Sequence, residues 1–514
     1  MPSRISPAYT ALLRLIAAAA GGASLSLSFQ PIGWWVLGPL SAALLVLALA
    51  GRPRWWLAVV IGLIWGAVPA LMSLGWIGEF VGNGPWLALC LTLGIVQIAA
   101  ALGVWLITNA RLHPALIIVG TASWIIAIEA VLVRWPFGGF PWLRHAFGQV
   151  GGPIAQTAII GGAPLVSWLT CLIGTACAVA ILRWQPKTWV SSGVVVAIVA
   201  ALSSAAPLFR DSEPSAEQPG AARSIRVAAV QGNVPRLGLE FNAQRLAVLR
   251  NHVDATIELA QRVQAGQEAQ PDVVIWPENS ADVSPFIEPQ AQRMIEQAAN
   301  AIAAPIIVGT FTYTDGVQNT MVVWDPDTGA GETHEKIHLQ PFGEWMPMRD
   351  FLAHFSDMVE LAGDMKPGHG DTVVHADGIA VGIATCFEVI FDDAYRTAVN
   401  NGAQILATPT NNATFGYTDM SYQQLAMSRL RAIEHNRTVV VAATSGVSAI
   451  VRPDGTVAAS TKIFEQAVLT STVPLHTQRT IAARWGASVE WGVVIIAMMV
   501  AAAAVIRRDS SANS

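Results

Sequence analysis

Residues 378–390 read GIAVGIATCFEVI. A run of small and β-branched residues ends at Thr385, a thiol follows at Cys386, and a carboxylate stands two places on at Glu388. Apolar β-branched runs of this length read as buried strands. Working outward, SIRVAAVQGNV (224–234) reads as a strand and 242–266 has helical periodicity. PDVVIWPE (271–278) is another buried strand, 287–303 is helical, and APIIVGTFTY with NTMVVWDPDTG suggests a hairpin. Beyond the opening stretch, DDAYRTAVNNG reads as a helix, QILATPT as a strand, 420–436 as a helix, and RTVVVAATSGVSAIVRPDGTV as a closing hairpin. Alternating strands and helices over 223–480 make one α/β domain.

Composition places that domain in an unusual chain. Of 514 residues 53% are hydrophobic and 13% charged, with mean hydropathy +0.47. Soluble domains carry about 25% charged residues, so much of this chain faces something other than water. A net charge of -5 and the lack of a basic stripe argue against a nucleic-acid partner. Nineteen Trp against five Tyr suit membrane–water interfaces. Candidate spans of the required ~20 apolar residues are 10–28, 32–50, 55–77, 85–108, 114–133, 163–183, 188–206 and 486–506. The expected organisation is a membrane domain with seven spans at 1–208, a polar linker at 209–222, the α/β domain, a final span at 486–506 and a cytoplasmic tail at 507–514. The spans carry almost no ionisable residue beyond Arg14, which disfavours a transporter. An apolar N-terminal stretch without a clear cleavage site reads as a retained span.

Lys and Arg placement sets orientation. Arg4, GRPR at 51–54, Arg111, Arg183 with Lys187, and Arg507 with Arg508 fall on one side, which is then cytoplasmic. The α/β domain follows on the opposite, extracytoplasmic face. Arg134 and Arg144 run against the rule, in RWPFGGFPWLRHAFGQVGG (134–152), a loop that reads as an interfacial anchor or a lipid-binding mouth.

Three stretches place polar residues at the ends of expected buried strands: WPEN (276–279), HEKIHLQPFGEWMP (334–347) and ATCFEV (384–389). Strand ends are where α/β sheets bind ligands. A thiol near pH 7 is mostly protonated and needs a base, and attack on a carbonyl needs a cation for the oxyanion. Glu278, Lys336 and Cys386 would supply base, cation and nucleophile. Each alone also has a structural reading, as a helix-start acid, a surface charge and a core thiol. HEKIH at 334–338 offers a rival, since H-E-x-x-H on a helix binds zinc in metalloproteases. That reading needs His334, Glu335 and His338, with a third ligand such as His354, His369 or His375. Pro341 and Gly343 leave little room for the helix.

In combination, WPE, K-x-x-L-x-P-F-G-E-x-x-P (336–347) and C-F-E (386–388) resemble the carbon–nitrogen hydrolase (nitrilase) superfamily. With the flanking spans, residues 1–506 resemble the bacterial apolipoprotein N-acyltransferase family, whose late helix RLRAIEHNR (429–437) resembles. The resemblance implies an αββα sandwich inserted in a polytopic helical membrane domain of about eight spans. It implies a Glu278–Lys336–Cys386 triad supported by Glu344 and Glu388, with no cofactor and no metal. It implies a phospholipid acyl donor, a thioester on Cys386 and a diacylglyceryl-modified apolipoprotein acceptor, handled by a monomer among the lipids of the bacterial cytoplasmic membrane. Phe387 stands where the family commonly has Tyr, and the family's aromatic patterns near Phe241 and Thr414 are altered. Phe387, Trp345 and Phe241 are the expected substrate contacts. A membrane-tethered amidase with the same triad is the alternative.

Overall fold

The computed structural model describes residues 7–210, 224–234, 241–354, 359–360 and 363–509. The chain divides into two units, Met1–Arg210 with Thr418–Ala426 and Arg484–Ser514, and Asp211–Tyr417 with Met427–Ala483. The expected linker, from 211 on, and the tail from 510 on lie outside the described residues.

In the first unit the apolar runs become helices, because a backbone in hydrocarbon must satisfy its own polar groups. Seven helices among the described residues are long and apolar enough to cross a membrane: Pro7–Ser28, Trp55–Ser73, Asn83–Thr108, Pro114–Leu132, Ala158–Leu182, Pro186–Ala205 and Ile481–Asp509. The expected span 32–50 is shorter, a 13-residue helix Leu37–Leu49. Gly33 (φ +68°) shapes the turn before it, and Gly51 (φ +75°) follows its end. At 1.5 Å per residue this helix is about 20 Å long against a ~30 Å hydrocarbon core. Its two ends nevertheless join different ends of the helix layer. Trp35 O, before it, accepts from Gln149 at 3.0 Å, and Leu49 O accepts from Asn109 at 3.0 Å.

Basic side chains gather at the Asn109 end. Arg52 donates to Asn109 O at 3.2 Å, Arg183 to Leu112 O at 3.3 Å and Ala110 O at 3.2 Å, and Arg507 to Arg111 O at 3.2 Å. The sequence reading of the spans as nearly free of charge needs correction. Glu129 lies buried in Pro114–Leu132, where Arg144 Nε meets its Oε1 at 3.0 Å, and Glu490 pairs with Arg134. Both arginines of the 134–152 loop are thus matched by carboxylates on spanning helices. Much of that loop folds inward as short 3₁₀ turns, with Trp142, Arg144, His145, Phe147 and Gln149 buried.

Among the described residues the second unit holds two six-stranded sheets. The strands are β1 (Ser224–Gln231), β2 (Val273–Ile275), β3 (Ile306–Thr312), β4 (Gln318–Asp325), β5 (Gly329–Glu335), β6 (Val373–Ala376), β7 (Ile379–Ile383), β8 (Ile405–Thr410), β9 (Val439–Ala443), β10 (Ala449–Val451), β11 (Val457–Ser460) and β12 (Ala467–Pro474). Their orders are β12-β1-β2-β3-β4-β5 and β11-β10-β9-β8-β7-β6. Val227, Ile275 and Ile307 of the first sheet share one core with Val381, Ile405 and Val440 of the second. Helices Phe241–Gln264 and Pro289–Ile302 cover the outer face of the first sheet, through Leu249, Leu259, Ile295 and Ile302. On the second sheet's other side, Tyr395 of helix Asp392–Asn400 donates to Ala407 O at 2.7 Å, and Ser428 of helix Met420–His435 reaches Thr408 at 3.3 Å. The result is the αββα order. Both sheets are parallel at their centres, β1-β2-β3 and β7-β8-β9, so several strand ends point the same way.

Candidate active site

Each motif residue sits just past a strand. β2 ends at Ile275, and Trp276-Pro277 carries the chain into a turn at Glu278, with Asn279 in the left-handed region (φ +56°). Lys336 directly follows β5, and its N–H still bonds Asn319 O at 2.8 Å, one step beyond the ladder. β7 stops at Ile383, and Cys386 begins a 3₁₀ turn, Cys386–Ile390, with φ +51°. That conformation is strained for a non-glycine residue. The thiol therefore stands on a tight turn after the strand instead of within it.

These turns converge on a buried charge cluster. Lys336 Nζ lies 2.9 Å from Glu278 Oε1 and 2.9 Å from Glu344 Oε1. Asn319 Nδ2 donates to the same two oxygens, at 2.8 and 3.0 Å. Asn411 N–H holds the other Glu278 oxygen at 2.9 Å, and Gln340 N–H holds the other Glu344 oxygen at 2.7 Å. Glu278, Lys336 and Cys386 are each 5% exposed or less. Burial works against the Lys336 ammonium, but Glu278 and Glu344 hold its pKa well above the ordinary lysine range. Burial, with the Glu278 charge beside it, pushes the Cys386 thiol up to about 12, against the opposing pull of Lys336 and a hydrogen bond with Thr410.

Glu388 is the second anchor. One oxygen takes the N–H groups of Ile337 and His338, both at 2.9 Å, and the other takes Thr385 N–H at 2.8 Å. The Cys386 turn is thereby tied to the segment just after Lys336. Burial opposes its charge, yet neighbouring His334, the His338 N–H and Lys336 keep its carboxyl below the usual range.

The other candidates separate from this cluster. Phe387 is buried edge-on against Phe391, with ring centres 5.4 Å apart. Trp345 is half-buried, its carbonyl accepting from Phe342 N–H at 2.8 Å. The Phe241 side chain lies outside the described residues. HEKIH straddles the end of β5, so it lacks the helix that zinc ligation by this motif requires. Its members face different partners: His334 lies 3.7 Å from Glu388, Glu335 accepts from Thr333 at 2.9 Å, and His338 lies 3.3 Å from Asp393. Sequence reasoning missed Asn319, Thr410 and Asn411. Their one signal is polarity inside or at the end of an apolar strand.

Comparison with known proteins agrees with this arrangement. Residues 21–176 match the family model for the apolipoprotein N-acyltransferase N-terminal domain, and residues 226–483 that for carbon–nitrogen hydrolases. An apolipoprotein N-acyltransferase of Mycolicibacterium smegmatis is 44% identical over 96% of this chain and 85% of its own length. The chain belongs to the apolipoprotein N-acyltransferase family. A second member, from Vibrio parahaemolyticus, is 27% identical over 89% of this chain and 90% of its own. Among solved structures, a nitrilase-superfamily protein of Saccharomyces cerevisiae is 17% identical, covers 52% of this chain and 93% of its own, and has a TM-score of 0.36. The protein is accordingly a bacterial membrane enzyme, an acyltransferase with an inserted carbon–nitrogen hydrolase domain. Neither the zinc protease nor the tethered amidase is favoured.

Proposed function

We propose that this apolipoprotein N-acyltransferase moves a fatty acyl chain from a phospholipid to the N-terminal amine of a diacylglyceryl-modified lipoprotein, through a thioester on Cys386. The observation that carries the assignment is the Lys336 ammonium bridging the buried Glu278 carboxylate and the part-buried Glu344 carboxylate within electrostatic reach of the Cys386 sulfur.

Glu278 is the general base. One of its oxygens is held by Lys336 and Asn319 and the other by Asn411 N–H, which fixes the carboxylate. It takes the thiol proton as sulfur attacks the ester carbonyl carbon. Lys336, with backbone N–H groups near Phe387, stabilises the tetrahedral oxyanion. The ester C–O bond breaks, Glu278 returns the proton to the departing oxygen, and a lysophospholipid leaves. The acceptor amine then attacks the thioester carbonyl. Glu278 takes the amine proton, the C–S bond breaks, and the proton returns to sulfur, leaving an amide. Glu344 keeps Lys336 from pairing with Glu278 alone, and Glu388 fixes the Cys386 turn against the Lys336 segment.

Both substrates carry acyl chains. Moving a sixteen-carbon chain from lipid to water at about 0.8 kcal/mol per CH₂ costs roughly 12 kcal/mol, so the chemistry belongs at a membrane. We infer from the basic residues that the catalytic unit lies on the extracytoplasmic side of the cytoplasmic membrane. Mass spectrometry after incubation with phospholipid tests the chemistry. An acyl-mass adduct on the Cys386 peptide, absent in Cys386→Ser, is the expected result, and an unmodified wild-type peptide with full activity would overturn it.

A further inference from the structure

Arg431 is fully buried on helix Met420–His435, away from the Glu278–Lys336 cluster. A buried guanidinium must have its donors and charge satisfied. Here they go to the turn that carries the candidate nucleophile. Nε donates to Val389 O at 3.0 Å, and Nη2 to Ile390 O at 2.8 Å. Nη1 bonds Asp392 Oδ1 at 2.8 Å and Glu434 Oε2 at 2.6 Å. Val389 and Ile390 are the last two residues of the 3₁₀ turn that Cys386 begins. The first part of the turn is held from the other side, by Glu388 on the Ile337, His338 and Thr385 N–H groups.

We propose that Arg431 is a positioning residue for acyl transfer, clasping the carbonyl end of the Cys386 turn so that the sulfur keeps its place beside Glu278 and Lys336. Cys386 sits at φ +51°, a conformation that persists only where the surroundings over-determine it. Glu388 supplies the acceptors of one clamp and Arg431 the donors of the other. Asp392 and Glu434 aim the guanidinium. A planar fork can hold two successive carbonyls at once, which the point charge of a lysine cannot. Without the clasp the turn can relax, and displacing a reacting atom by about 1 Å can lower the rate on the order of 10²-fold. Arg431 thus acts through Cys386 and touches no substrate. The inference rests on the reading of Cys386 as the nucleophile.

The test uses the full-length enzyme in detergent micelles with a dipalmitoyl phospholipid, following palmitoyl adduct formation on the Cys386 peptide by rapid-quench mass spectrometry. Arg431→Lys and Arg431→Gln are compared with wild type, alongside the pH profile of Cys386 alkylation by iodoacetamide. The expected result is a rate constant lowered by about 10- to 100-fold, less in Arg431→Lys, with a displaced alkylation profile. A merely structural role would lower the fraction of protein that forms adduct while leaving the rate constant and the pH profile at wild-type values, and that outcome overturns the inference. If neither variant accumulates, Asp392→Asn keeps the guanidinium but loosens its aim. A lowered rate constant there supports the clasp, and an unchanged one sinks it. Absence of adduct in wild type defeats the nucleophile reading instead, independently of Arg431.

Discussion

A thiol whose pKa is raised to about 12 is not a resting thiolate at neutral pH. On the proposed mechanism the proton therefore leaves as the bond to carbon forms, and Glu278 takes it. This predicts that iodoacetamide alkylates Cys386 slowly at pH 7, with a rate rising about tenfold per pH unit up to pH 9. A plateau near pH 7 would show a pre-formed thiolate and contradict the assignment. Folding stability follows the same sign. The raised thiol favours its protonated form in the folded state, so stability falls as pH climbs from about 9 toward 12. Lys336 is raised as well, so its contribution is complete below the unfolded lysine value and is lost only as pH rises through the folded one. Removing the cation is more severe. Lys336→Met leaves Glu278 and Glu344 facing each other in a buried site, and breaking such a buried pair costs about 3–5 kcal/mol. Adduct formation in the folded fraction is expected to drop by more than about 10²-fold with the oxyanion partner gone. Wild-type kinetics in that variant would exclude Lys336 from the chemistry.

The elements explain why some of this could be read in the sequence and some could not. Glu278 and Glu388 stand close after apolar β-branched runs, so their place at strand ends follows from pattern, whereas Lys336 follows the polar, mostly exposed β5 and is legible only through the motif that spaces it from Glu344. Asn319 also stands beside an apolar run, but nothing in the sequence says that it faces the carboxylates. It meets the carboxylates because β4 pairs with β5 in a register that puts its carbonyl opposite Lys336 N–H. Strand β12 was hidden for a related reason: AVLTSTVP is half-exposed and rich in Ser and Thr, and its pairing partner β1 lies more than two hundred residues upstream. Glu129 escaped notice because one carboxylate barely changes the hydropathy of a span, while its partners Arg144 and His145 lie in a later loop. Gly309 shows the same long-range dependence. On β3, a Cβ there would stand 2.3 Å from Pro277 O and 2.8 Å from the Cα of Glu278. Gly309→Ala must therefore push the WPEN turn outward. A stability loss of about 1–3 kcal/mol and an adduct rate lowered roughly 10²-fold are expected, readable by thermal melting and rapid quench. An unperturbed rate would mean that the turn tolerates movement and that Glu278 need not be held to within an ångström.

Across the molecule, orientation depends on whether Leu37–Leu49 counts as a crossing. Six of the seven long helices precede residue 210, an even number, and with them alone residue 210 would lie on the same side as the N-terminus. The short helix makes the number odd. Its length of about 20 Å argues against a crossing, but its contacts argue for one, since one end meets Gln149 and the other Asn109. Helix Asn83–Thr108 ends at Asn109, where Arg52, Arg183 and Arg507 also bond backbone carbonyls. The opposite end holds Arg134 and Arg144, each paired with a carboxylate, so neither presents a free positive charge to set orientation. The basic cluster at the Asn109 end is then the cytoplasmic signal on which the proposed orientation rests, and an odd count is what that proposal requires to put the catalytic unit outside. Single cysteines answer the question in intact cells. With native Cys90, Cys171 and Cys177 replaced and Cys386 kept, Arg52→Cys reports the Asn109 end of the helices, and Lys462→Cys reports an exposed loop of the catalytic unit. A membrane-impermeant maleimide is expected to label position 462 without permeabilisation and to leave Arg52→Cys untouched until the membrane is opened. Labelling in the reverse order would mean that the 13-residue helix turns back within the bilayer, and it would put the proposed acyl transfer on the cytoplasmic face.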